Sequence, residues 1–97
     1  MDYYFEWDPK KARSNLAKHE IAFAEATTVF RDPHALNMYD PDHSVSEDRW
    51  VTLGISGSGR LLLVCYTFNE EVNETATIRI YSARRATSAE TLNYEEA

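Results

Sequence analysis

After a short aromatic start, the spacing of apolar residues is helical as far as Pro33 and strand-like beyond it. Tyr3-Tyr4-Phe5-Glu6-Trp7 predicts a first strand over residues 3–7. Asp8-Pro9 then reads as a helix start: an Asp N-cap accepts free backbone N–H groups, and Pro at the first helical position has its φ already set. That helix should run to about His19, with Ala12 and Leu16 as a narrow apolar stripe and Lys11, Asn15 and His19 following beside it at i, i+4, i+8. A second helix is expected over Phe23–Phe30, where Phe23, Ala26 and Phe30 share a face, and Arg31-Asp32-Pro33 ends it.

Beyond Pro33, Ala35–Tyr39 reads as a short strand and Asp40-Pro41-Asp42-His43-Ser44 as a polar turn. Glu47–Ser56 alternates, with Arg49, Val51, Leu53 and Ile55 on one face. Gly57-Ser58-Gly59 closes a tight hairpin onto Arg60–Phe68, which is apolar on both faces as a central strand would be. A solvated loop over Glu70–Glu74 leads to Thr75–Arg84, with Ile78 and Ile80 on one side and Arg79 and Tyr81 on the other. Thr87 and Glu90 have capping-box spacing for a final helix. The order β-α-α-β-β-β-β-α predicts an α+β fold, a small, mostly antiparallel sheet with its helices on one face. Arg49, Arg79, Tyr81 and Tyr66 are then candidates for the other face, presented to a ligand or simply solvated.

Length and composition narrow this further. The 97 residues are enough for one domain spanning 1–97, and 43% hydrophobic content can fill a core. No apolar run approaches the roughly 20 residues of a membrane span, and the first residues carry no basic leader followed by an apolar segment. Cys65 lies alone in an apolar run and is expected to be a buried, inert thiol. The three His and one Cys match no metal-ligand spacing, and a reducing, cytoplasmic setting is expected. The net charge of −6 argues against nucleic-acid binding by the whole surface. Yet residues 9–19 and 79–85 hold Lys10, Lys11, Arg13 and Lys18, and Arg79, Arg84 and Arg85, with no acid among them. No helix-turn-helix pattern is evident.

Several of these segments together resemble the BrnT family. The match runs through Phe5-Glu6-Trp7-Asp8-Pro9-Lys10-Lys11, Asn15, Lys18-His19 and Val29-Phe30-Arg31-Asp32-Pro33. It continues in Asp42-His43-Ser44, Glu47, Arg49 and Gly54, and in Ile78-Arg79-Ile80-Tyr81-Ser82-Ala83-Arg84-Arg85 with Glu90 and Tyr94. The resemblance implies a RelE-like fold and a metal-independent endoribonuclease toxin of a type II toxin–antitoxin pair, without a cofactor. It also implies neutralisation by BrnA, a ribbon-helix-helix antitoxin through which alone the complex meets operator DNA. One departure is Glu20, where the family usually has the Gly of a left-handed helix cap, so a differently shaped helix end is expected. A second reading keeps the fold and the antitoxin but not the cleavage: an interaction module.

RNA cleavage without a metal uses the 2′-hydroxyl as nucleophile and needs a base, a cation for the phosphorus centre and an acid for the leaving oxygen. His19 reads as acid or base, or as a helix-end histidine on the last carbonyls. Glu47 reads as a base or as the partner of Arg49. Arg79 and Arg84 read as phosphate clamps or as exposed strand residues. Lys11 and Lys18 would attract RNA or form a solvated helix face, and Tyr81 would stack on a base. His43, in an acidic turn, reads first as a turn residue and second as an acid catalyst.

Overall fold

The computed structural model describes residues 2–97. In chain order it has β1 (Asp2–Glu6), α1 (Pro9–His19), α2 (Phe23–Ala26), a 3₁₀ segment (Thr27–Arg31), β2 (Leu36–Tyr39), a 3₁₀ turn (Pro41–His43), β3 (Arg49–Ile55), β4 (Leu61–Glu71), β5 (Thr75–Arg85) and α3 (Ser88–Glu96). The strands form one sheet in the order β1-β5-β4-β3-β2, parallel between β1 and β5 and antiparallel elsewhere. This is the expected α+β architecture.

Local chemistry explains where the elements begin and end. Asp8 caps α1 by accepting the Lys10 N–H at 2.8 Å. The expectation of an altered end to α1 is corrected: Glu20 adopts the left-handed cap itself (φ 59°, ψ 29°), and its N–H reaches the Leu16 carbonyl. The expected second helix is also corrected. It is α-helical only to Ala26, because the Thr27 and Thr28 hydroxyls donate to the Ala24 and Glu25 carbonyls three residues back, and the backbone tightens to 3₁₀. The hairpin between β3 and β4 closes with Gly59 at φ 86°.

The helix side of the sheet holds the main core. There Leu62, Val64, Tyr66, Ile78, Ile80 and Ala83 pack against Ile21, Phe23, Ala26 and Val29. The expected stripe on α1 is corrected as well. Leu16 is 51% exposed, whereas Asn15 is buried and bonds three backbone groups. Its Nδ2 donates to the Ile21 and Ala83 carbonyls at 3.0 and 2.8 Å, and its Oδ1 accepts the Ala83 N–H at 3.1 Å. Gly54 lets the 3₁₀ segment approach β3 closely, since a Cβ there would stand 3.2 Å from the Val29 carbonyl oxygen.

Helices do not all lie on one side. Leu53 and Leu63 are cross-strand partners on the second face, and both are buried although they lie outside the main core. Arg84, the partner of Leu63 on β5, is held by Glu90 of α3, which places α3 on that second face. Tyr94 extends α3 to Asp32, donating its hydroxyl to Oδ2 at 2.6 Å. That bond and burial push the Tyr94 phenol up to about 12. So α3 covers one half of the second face and leaves the half around Arg49 open.

Candidate active site

On the open half, pairing sets one residue from each strand in a row across the sheet. Glu6 on β1 partners Arg79 on β5, Arg79 partners Thr67 on β4, and Thr67 partners Arg49 on β3. Asp40, just past β2, continues the row by donating its N–H to the Arg49 carbonyl at 2.8 Å. With strands about 4.8 Å apart, the Arg49 and Arg79 backbones stand about 10 Å from each other across Thr67. Residues that pair share a face, so Glu6, Arg79, Thr67, Arg49 and Asp40 all point to the same side.

A bulge in β5 decides what else joins them. Cys65 pairs with Ser82 but Tyr66 pairs with Ile80, so Tyr81 is the extra residue. Strict alternation from Ile78 and Ile80 would turn Arg84 toward the helix-side core. The inserted residue resets the parity, so Arg79, Tyr81 and Arg84 reach the second face together.

The Arg49 guanidinium carbon lies 4.9 Å from the centre of the Tyr81 ring, a cation–π contact. Glu47 approaches Arg49 Nη2 at 3.7 Å, and the Arg49 Nε is shielded from solvent with no hydrogen-bond partner among the described residues. Burial raises the Tyr81 phenol, with Arg49 opposing that shift. Cys65 lies under this site, and burial pushes its thiol up. Arg79 meets Glu6 at 3.3 Å with both side chains half exposed. A polar cleft of about 490 Å³ borders the row, lined by Glu6, Glu47, Asp48, Thr67, Thr77 and Arg79 among others.

The remaining candidates lie elsewhere. Arg84 pairs with Leu63, four residues along β4 from Thr67, hence about 13 Å from the row. Its fork binds both Glu90 oxygens, at 2.8 and 3.0 Å, and that bond is the chief reason the Glu90 carboxyl falls to about 2. His19, half-buried, ends α1, and exposed Lys11 and Lys18 stand on the same helix. Since α1 packs against the main core through Ala12, these three belong to the other side of the sheet. Tyr66 is core: its hydroxyl meets Thr52 Oγ1 at 2.7 Å inside. Glu47 lies before β3 rather than on it, because the strand begins only at Arg49.

One pair beside the row favours the second of the two readings of His43. His43 Nδ1 lies 2.8 Å from Asp40 Oδ2, at i, i+3 in the turn before β3. The Ser44 hydroxyl donates to the Asp40 carbonyl and accepts the Arg49 N–H, which stitches the turn to the start of β3. The spacing Asp-x-x-His was visible; its nearness to Arg49 depends on the β2–β3 register.

The chain matches the family model of the ribonuclease toxin BrnT of type II toxin–antitoxin systems over residues 7–90. Among solved structures it resembles the crystal structure of the Brucella abortus ribonuclease toxin BrnT. That likeness has a TM-score of 0.60 and 20% sequence identity, covering 91% of this chain and 100% of the other. At that identity the likeness speaks to the fold. No curated protein matches the chain.

Proposed function

Because the chain belongs to the BrnT family of ribonuclease toxins of type II toxin–antitoxin systems, we propose that it is a metal-independent endoribonuclease acting at the Arg49 row. The observation that carries this reading is the pairing that sets Arg49 and Arg79 on one face with only Thr67 between them. A phosphodiester seated over Thr67 meets both guanidinium groups, whose planar forks match its oxygens as negative charge builds on phosphorus. Tyr81 fixes the Arg49 plane from beneath and offers a ring for a base to stack on. Glu47, beside Arg49, takes the proton of the attacking 2′-hydroxyl. Arg84, engaged with Glu90, and His19, on the far side of the sheet, stay outside this group. Lys11 and Lys18 draw RNA toward the molecule through their charge.

The silencing partner in this reading is a BrnA-type ribbon-helix-helix antitoxin, which also makes any contact with operator DNA. A second reading, a binding module without cleavage, is favoured by the acids that already hold cations: Glu6 on Arg79 and Glu90 on Arg84. Expression in a bacterial host separates the two. Induction of the chain alone is expected to arrest growth, and co-expression of its antitoxin to restore it. Normal growth alongside folded, soluble protein would favour the binding module.

A further inference from the structure

We propose that His43, oriented by Asp40, is the catalytic proton donor to the leaving 5′-oxygen. This rests on the ribonuclease reading and adds to it the acid that the Arg49 row lacks. Glu47, beside that row, takes the role of base and the two arginines that of charge stabilisers, which leaves the leaving oxygen without a proton donor. The chain has three histidines, and two of them are remote from the row. His19 ends α1 on the other side of the sheet. His34 precedes the far end of β2, its N–H bound to Asp32.

The third is tied to the end of the row through Asp40. Asp40 shares the face of Arg49, because its N–H donates to the Arg49 carbonyl at 2.8 Å. Its Oδ2 stands 2.8 Å from His43 Nδ1. Holding the Nδ1–H in this way fixes the ring orientation and leaves Nε2 for transfer, as a carboxylate does for a histidine in other hydrolytic sites. The His43 side chain is 64% exposed, so an incoming phosphodiester can reach it. Ser44 adds rigidity, since its hydroxyl joins the Asp40 carbonyl to the Arg49 N–H.

The step balances as follows in atoms and protons. The 2′-oxygen forms a bond to phosphorus while the phosphorus–O5′ bond breaks. The 2′-hydroxyl proton passes to Glu47, and the imidazolium proton on His43 Nε2 passes to O5′. The products are a 2′,3′-cyclic phosphate and a 5′-hydroxyl end, and exchange with water restores both groups. Asp40 is a positioning residue here.

A substrate that needs no acid tests the assignment. Two short fluorescent single-stranded RNAs of the same mixed sequence are compared, one ordinary and one with O5′ replaced by sulfur at each linkage. A thiolate leaves without protonation, so loss of the acid should matter only for the ordinary RNA. His43→Gln is expected to slow cleavage of ordinary RNA by roughly 10²-fold or more while cleaving the sulfur RNA nearly as fast as the unsubstituted protein. Asp40→Asn should show the same selectivity to a smaller degree. An exposed pair of this kind adds little to stability, so both variants should fold. Equal slowing on both RNAs, or none on either, would overturn the role of His43 while leaving the ribonuclease reading intact. Failure of the unsubstituted protein to cleave either RNA would overturn that reading and this inference together.

Discussion

Asn15 joins three backbone groups through one side-chain amide, and two of them belong to Ala83 on β5. It therefore couples the end of α1 to the strand that carries Arg79, Tyr81 and Arg84. Asn15→Ala leaves two buried carbonyls and one N–H without partners, which should lower unfolding free energy by about 2–4 kcal/mol in urea titrations. A change below about 0.5 kcal/mol, the range of ordinary surface substitutions, would contradict that role. Helical spacing located Asn15 beside the apolar stripe but could not tell that it, rather than Leu16, faces inward. Its partners lie 6 and 68 residues away, and no local period encodes them. Glu20 is the same kind of case: the left-handed cap forms with a Glu, although Gly takes that backbone conformation most readily.

At the scale of elements, the order of helices and strands along the chain and the assignment of Arg79 to the face opposite Ile78 and Ile80 were legible from periodicity, whereas the place of β1 beside β5, in parallel, was not. The fate of Arg84 was not, because one bulged residue at Tyr81 reverses the parity after it. Nor was the side taken by α3, which depends on Arg84–Glu90 and Tyr94–Asp32 rather than on an apolar stripe. Polar anchoring of this sort also ties α2 to the β3–β4 hairpin. Glu25 accepts from Ser56, Ser58 and Arg60, and the bond from Arg60, helped by the serines, holds its carboxyl down at about 2 from an ordinary 4.5. Since the folded value lies below the unfolded one, the stabilisation is complete above about 4.5 and is lost as pH falls toward about 2. Glu25→Gln should therefore lower the Tm at neutral pH and flatten its decline between those values. An unchanged acid decline in thermal scans would remove Glu25 from this role.

For the whole molecule, the question is how a chain of net charge −6 handles a polyanion. The sheet sets Arg49 and Arg79 in one row, flanked by Glu6 and Asp40, while much of the remaining acid lies in turns and the C-terminal helix. The candidate residues were legible as residue types and through family resemblance. Their grouping was not, because it follows from register across four strands and separates His19 from Arg49 while bringing in His43. The central claim is that the Arg49 row cleaves RNA, and it is tested most directly with purified protein and RNA in the presence of a metal chelator. The account predicts cleavage leaving 2′,3′-cyclic phosphate ends, slowed by about 10²-fold in a folded Arg49→Ala variant. Intact RNA with the unsubstituted protein, or undiminished cleavage by Arg49→Ala, would contradict it.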